Sequence, residues 1–143
     1  AEVEASVARL FSYAAWADKW DGAVHNVPIR GVALQMNEPI GVVAVAAPDE
    51  APLLGFISTV APLVATGNAV VVVPSEPHPL SATDLYTVLE SSDLPAGVIN
   101  IVTGAKDALA KTLAEHDDVE GIWYWGTRQG VKVVELASAH NMK

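Results

Sequence analysis

The stretch of sequence that decides the fold runs from Ala69 to Ala82 and reads AVVVVPSEPHPLSA. Its first five residues are all apolar, and a run without a polar face is typical of a strand that helices cover on both sides of a parallel sheet. Pro74 ends the strand because proline has no N–H for the sheet ladder. Pro79 can begin the next helix, because a proline in the first turn loses no helical hydrogen bond.

Two polar residues follow this strand directly. Ligands of open α/β sheets bind at the carboxyl ends of the strands, so Ser75 and Glu76 are the first candidates for residues near a ligand. The alternative is that Pro-Ser-Glu-Pro forms only a tight turn, since polar turns between strands and helices are common.

The rest of the chain alternates between short apolar runs and segments whose apolar residues have helical spacing. From Ile40 onward this pattern predicts β-α-β crossovers, and therefore an α/β fold with a parallel sheet and helices on both faces. Before Ile40 we predict an amphipathic helix and then an extended, hairpin-like segment at 24–37, in which Pro28 confines the first strand to an edge. The predicted strands are 41–47, 69–73, 98–102 and 121–125, and the predicted helices are 2–20, 53–66, 79–91, one that ends near His116, and 129–138. The apolar stripe predicted for the first helix is Val3, Val7, Leu10, Phe11 and Ala14. The predicted inner face of helix 79–91 is Ala82, Leu85, Tyr86 and Leu89.

The composition of the chain limits the ligands that it can bind and the chemistry that it can carry. The chain has 143 residues, 8 basic and 17 acidic, and its net charge of −9 disfavours binding to nucleic acids and to anionic membranes. Only 17 % of the residues are charged, against about 25 % in a typical soluble domain, so we expect a partner or further chain to cover part of the surface. The absence of cysteine excludes a disulfide, a thiolate zinc site and a thiol nucleophile within this chain. Because the chain begins with Ala1, we also expect it to be part of a longer protein.

A few further residues could carry chemistry. Gly104 and Gly126 lie at strand-to-helix junctions, where free N–H groups could face a phosphate, although glycine also closes tight turns that bind nothing. Asp49 and Glu50 could act as an acid–base pair, but an acidic pair before a helix also suits its positive end, and we favour that interpretation. The four histidines lack the i, i+4 spacing of a metal site, so we predict no metal.

Residues 38–143 resemble the cofactor-binding domain of the aldehyde dehydrogenase superfamily, and the helix at 2–20 fits the segment that precedes this domain. Two stretches of sequence look most like the second, degenerate unit of family 16 members, namely Pro48-Asp49-Glu50 and Ile122-Trp123-Tyr124-Trp125-Gly126. The matching blocks are 38–43, 52–54, 61–68, 70–76 and 94–104, followed by Gly126 and by Asn141-Met142-Lys143.

This resemblance implies a Rossmann-like domain at 38–143 that follows an N-terminal helix and extended segment at 1–37. It implies that NAD would be the cofactor, because the family's carboxylate at Glu76 favours a free ribose 2′-hydroxyl over a 2′-phosphate. The cofactor-binding residues that it implies are Ser75, Glu76, Gly104, Gly126 and Thr127.

The chain departs from the family pattern at several positions. Glu50 stands where the family has an asparagine that donates to the oxyanion, and Val73 stands where the family has a lysine that holds the adenosine ribose. We therefore expect NAD binding to be weakened by Val73. The turn after Gly126 is shortened, and the second glycine that often follows the position of Gly104 is missing.

The family's general-base motif, Glu-Leu-Gly-Gly, and its nucleophilic cysteine would lie beyond Lys143. Glu135-Leu136-Ala137 is similar to this motif, but it lies before Asn141-Met142-Lys143 and therefore too early in the sequence. We expect a degenerate, non-catalytic unit that serves structure or assembly, in contact with the rest of its parent chain and in a cytoplasmic homo-oligomer. One alternative is a functional NAD-binding part of an aldehyde-oxidising dehydrogenase. Another is an unrelated flavodoxin-like binding module, for which the segment 48–52 would be a poor phosphate loop.

Overall fold

The computed structural model describes residues 1–141 and 143, so Met142 of the last matching block lies outside the described residues. The α/β fold that the sequence predicts is confirmed. Within the described residues no helix is long and apolar enough to cross a membrane. The elements are α1 (Glu2–Ala17), β1 (Ala23–His25), β2 (Ala33–Gln35), β3 (Val42–Ala46), α2 (Pro52–Ala65), β4 (Ala69–Val73), α3 (Leu80–Glu90), β5 (Ile99–Ile101), α4 (Lys106–Glu115), β6 (Gly121–Tyr124) and α5 (Arg128–Ser138).

The main sheet is parallel and has the strand order β5-β4-β3-β6. The chain builds outward from β3 to β5 and then crosses back through α4 to place β6 on the other side of β3. The order of the strands therefore reverses between β3 and β6. Such a reversal opens a crevice at the carboxyl ends of the two strands, and ligands of open α/β sheets bind there. β1 and β2 form a separate antiparallel pair.

Helices cover both faces of this sheet, as the sequence predicts. One face packs against α2 and α3, and the other packs against α4 and α5. Successive side chains of a strand point to opposite faces, so β3 contributes to both cores. The first core includes Val43, Val45, Phe56, Val60, Val70, Val72 and Ala82, and the second includes Ala46, Ala110, Ala114, Val134 and Ala137.

One predicted apolar face is wrong, because the stripe of α1 is exposed, with Val3 at 63 % and Phe11 at 73 % exposure. The predicted inner face of α3 is confirmed except at one residue, since Ala82 is buried and Leu85 packs against the first core, whereas Tyr86 is exposed. α1 instead turns the side that carries Ser6, which is buried, toward α2. Helical periodicity locates an apolar face, but it does not identify what covers that face.

Asn68 joins three segments of the first core. Its side-chain oxygen accepts from the N–H groups of Ile40 (2.8 Å) and Gly41 (3.2 Å), just before β3. Its side-chain nitrogen donates to the Leu63 carbonyl (3.2 Å) and to the Thr66 hydroxyl (3.0 Å) at the end of α2. Because the residue is buried, these groups cannot turn to water instead.

We predict that Asn68→Asp lowers the free energy of unfolding by about 1–3 kcal/mol, because it removes two donors and buries a charge. Urea denaturation measures this loss. Asn26→Asp is the matched control, since Asn26 is exposed and its replacement should change stability little. Equal losses in the two variants would contradict the structural role of Asn68.

Candidate functional site

A buried lysine side chain joins the ends of β3 and β6 at the crevice between them. Lys106, the first residue of α4, is 4 % exposed. Its ammonium group donates to the carbonyl of Ala47 (2.7 Å) after β3 and to the carbonyl of Trp125 (3.4 Å) after β6. It also forms an ion pair with the Asp49 carboxylate at 2.7 Å. One side chain thus joins the ends of both strands and the loop that follows β3.

Asp49 and Lys106 also bind Glu76, one at its backbone N–H group and the other at its carboxylate. Its backbone N–H donates to Asp49 Oδ1 (3.0 Å), and its Oε2 accepts from the backbone N–H of Lys106 (2.7 Å). The Glu76 carboxylate therefore lies at the N-terminus of α4, where the helix dipole favours a negative charge. Glu76, Asp49 and Lys106 form a single network across the carboxyl edge of the sheet.

The pKa of the Asp49 carboxyl group reflects this network. Partial burial raises the pKa, but the hydrogen bonds from Lys106 and from the Glu76 N–H outweigh burial, so the pKa lies below its usual value. Asp49 is therefore ionised at neutral pH and can serve as the counterion of Lys106.

Ser75 differs from its neighbour Glu76. The Ser75 side chain is fully buried, and within the described residues its hydroxyl oxygen has no hydrogen-bond partner. Glu76 is exposed. The two candidates that the sequence places side by side thus lie in different environments.

Two backbone N–H groups at the start of α5 bind side chains of the chain itself. The Thr127 hydroxyl accepts from the Gly130 N–H (2.9 Å), and the Thr127 N–H donates to the Tyr124 hydroxyl (3.2 Å). The Tyr124 hydroxyl donates in turn to Asp107 Oδ1 (2.5 Å) on α4. Burial and the nearby Asp107 raise the Tyr124 pKa. A Cβ atom at Gly130 would lie 1.8 Å from the Tyr124 hydroxyl oxygen, so a larger residue here would have to displace the Tyr124 side chain.

A cavity of about 270 Å³ opens beside this helix start. It brings Glu50, Gly126 and Thr127 together, whereas Ser75, Glu76 and Gly104 do not line it. Asp49 and Glu50 give it two carboxylates, and no lysine or arginine lines it among the residues that the structure describes. A larger cavity of about 460 Å³ lies between α3 and β5, and it includes Thr103, the neighbour of Gly104, but none of the predicted site residues themselves. The described residues that line the smaller cavity are Pro48, Asp49, Glu50, Trp125, Gly126 and Thr127.

Two further observations complete the site. Val73, the last residue of β4, is fully buried and offers no polar group. Among the residues that the structure describes, no group of three or more histidine, aspartate or glutamate side chains could hold a metal ion.

Sequence reasoning missed Lys106 altogether. One signal could have indicated it, because no lysine or arginine lies between Arg30 and Lys106. A single basic residue two positions after a strand-to-helix glycine is a candidate for a buried cation. Its partners Ala47 and Trp125 could be identified only with the strand order known.

We predict that the stabilising effect of Asp49 depends on pH. Because its pKa is lower in the folded protein, the effect is fully present above the unfolded pKa, which is about 3.9, and is lost as the pH falls through the folded value. Asp49→Asn should therefore differ in unfolding free energy from the natural chain above about pH 4, with a pH-dependent part of about 1 kcal/mol or less for a partly exposed pair, and this part should vanish in stronger acid.

Urea denaturation at a series of pH values measures the effect. Asp93→Asn makes the same charge change at an exposed loop position and serves as the control. A constant difference between Asp49→Asn and the natural chain at all pH values would contradict the assignment.

Comparison with known proteins covers the whole chain. The family model described as "Aldehyde dehydrogenase family" matches residues 1–143. An aldehyde dehydrogenase of Agaricus bisporus is 34 % identical over 143 residues, which are 99 % of this chain and 29 % of the relative. The NADP/NAD-dependent aldehyde dehydrogenase PuuC of Escherichia coli K12 is 37 % identical over 132 residues, which are 92 % of this chain and 27 % of the relative.

Solved structures agree with this result. The NAD⁺ complex of an aldehyde dehydrogenase from Bacillus cereus aligns with a TM-score of 0.94 at 26 % identity, over 99 % of this chain and 29 % of that one. This chain thus spans less than a third of the length of these relatives. The predicted resemblance and the Rossmann-like sheet are confirmed, and the chain belongs to the aldehyde dehydrogenase family.

Proposed function

We propose that this chain is a non-catalytic unit of an aldehyde dehydrogenase family protein and serves structure or assembly. The observation that carries the proposal is the cavity whose described lining has two carboxylates and no cation. Glu50 lines this cavity and stands where the family has its oxyanion donor. An ionised carboxylate cannot donate a hydrogen bond and repels a developing oxyanion, and losing one such donor typically costs about 10²–10³ in rate.

Weak NAD binding is the second part of the proposal. A pyrophosphate group would meet the Asp49 and Glu50 carboxylates, and two N–H groups at the start of α5, those of Thr127 and Gly130, already bind the Tyr124 and Thr127 hydroxyls. Val73 is buried and cannot hydrogen-bond a ribose. The cavity of about 270 Å³ is also smaller than the roughly 300–1,000 Å³ of typical small-molecule sites. The residues present thus fit a dinucleotide poorly, although Gly126 and Thr127 lie at the expected end of the sheet.

The partners proposed for this unit are the rest of its parent chain and further copies in a homo-oligomer. Large apolar side chains are exposed on α1 and around the β1–β2 pair, as at Phe11, Trp16, Ile29 and Met36. Such side chains are usually covered when they cluster. We place the parent protein in the cytoplasm, without nucleic-acid or membrane partners, in keeping with the acidic and cysteine-free composition of this chain. The division into 1–37 and 38–143 remains part of this proposal.

A functional NAD-binding unit is the second candidate. It is favoured by Glu76, which matches the family's ribose carboxylate, and by the NAD⁺ complex of the Bacillus cereus relative. In this case the catalytic cysteine and the general base would belong to segments that this chain does not contain.

We predict that calorimetric titration of NAD detects no binding to the natural protein, or binding weaker than about 1 mM, which corresponds to about −4 kcal/mol. Glu50→Asn removes one repelling carboxylate and should strengthen binding without restoring it fully. Glu90→Asn removes an exposed carboxylate at the end of α3 and should leave the titration unchanged.

Val73→Lys tests whether NAD binding is weak because the family's lysine is missing at this position. Because Val73 is fully buried, circular dichroism must first show that this variant folds. Restored binding supports a site that keeps its shape and lacks only the lysine. A micromolar dissociation constant for the natural protein, about −8 kcal/mol, would contradict the proposal and favour the second candidate.

A further inference from the structure

Lys106 occupies the place where this type of sheet usually binds a ligand. Its ammonium group lies between the chain ends of β3 and β6, where the strand order reverses. It reaches Ala47 across 59 positions of sequence and Trp125 across 19. A surface lysine could move away from such a position at little cost, but this one is 4 % exposed.

The hydrogen-bonding capacity of Lys106 is fully used inside the chain. An ammonium group has three donors and no acceptor. Three oxygen atoms surround it, from the carbonyls of Ala47 and Trp125 and from the Asp49 carboxylate. No donor is left for a phosphate or another anion.

The charge of Lys106 is also balanced internally. A buried ammonium group requires a counterion, and Asp49 supplies it at 2.7 Å. The surrounding groups add further negative charge, because Glu76 binds the Lys106 backbone and Glu50 lines the adjacent cavity. An approaching anion therefore meets an excess of carboxylates and one cation that is already paired.

We infer that the buried ion pair of Lys106 and Asp49, which we call the charge lock, closes this edge of the sheet to anionic ligands. Lys106 binds the strand ends in place of a ligand, and Asp49 neutralises its charge. This inference rests on the proposed function, since it names the device that keeps a dinucleotide out. It assigns the exclusion to Asp49 in addition to the family position at Val73.

The charge lock has a consequence that can be tested by one substitution. Asp49→Asn keeps a side-chain oxygen that can accept from Lys106 and from the Glu76 N–H, but it removes the counterion. The Lys106 charge is then no longer neutralised within the chain and attracts an external anion to the adjacent cavity. Removal of Asp49 should turn a site that repels anions into one that binds them.

Inorganic pyrophosphate is the probe for this change. Calorimetry on the intact protein should detect no binding to the natural form and binding at least tenfold tighter to Asp49→Asn. Asp93→Asn changes the net charge equally and should behave like the natural form. Adding Lys106→Met to Asp49→Asn should abolish the gain, and circular dichroism confirms that each variant folds. A gain that is no larger than that of Asp93→Asn, or that survives loss of Lys106, would overturn the inference.

Amine acetylation followed by mass spectrometry provides a second readout. In the natural protein Lys106 should react at least tenfold more slowly than Lys19 and Lys132, which are exposed. Asp49→Asn should accelerate the reaction of Lys106 alone, because the side chain is released from its counterion. Equal rates for Lys106 and Lys132 in the natural protein would show that the lock does not exist.

These outcomes separate the two proposals. Micromolar binding of NAD by the natural protein contradicts the proposed function and the exclusion of anions together. Weak NAD binding combined with rapid acetylation of Lys106 contradicts the charge lock alone and leaves the proposed function standing.

Discussion

Backbone carbonyl groups at the ends of buried strands must find hydrogen-bond donors, and this requirement governs the carboxyl edge of the sheet. The ladder between β3 and β6 ends with the pair Ala46 and Tyr124. The carbonyls of Ala47 and Trp125 lie beyond this pair and accept from Lys106. A buried lysine satisfies both carbonyls but then needs a carboxylate of its own. The arrangement of Asp49, Glu76 and the start of α4 follows from that need.

The sheet could be predicted because each strand is a short apolar run with a clear end. The predicted strand at 69–73 agrees with the structure, and the other core elements agree within a few residues, since Pro74, Gly67 and similar residues mark the ends. Exposure could not be predicted in the same way. The stripe of α1 that contains Val3 and Phe11 has helical spacing but is uncovered, because periodicity holds no information on the neighbouring surface.

The site was only partly visible in the sequence. A strand end identified Glu76, since polar residues after a buried strand must lie at one edge of the sheet. Lys106 could not be identified by local reasoning, because its ion pair with Asp49 spans 57 positions and depends on β6 returning to the side of β3. The burial of Ser75 likewise depends on packing, which alternation along a strand does not specify beyond the last ladder residue.

Glu2 gives the N-terminal helix a role that reaches across the molecule. Its carboxylate accepts from the N–H groups of Leu53 and Leu54, at 2.9 and 3.0 Å, while α2 has no acidic residue in its first turn and no capping side chain of its own. The central helix of the first core thus takes its cap from a residue 51 positions earlier. A gene fusion or recombination event with a breakpoint near residue 37 would separate that cap from its helix. The two parts of this chain are therefore expected to be inherited together.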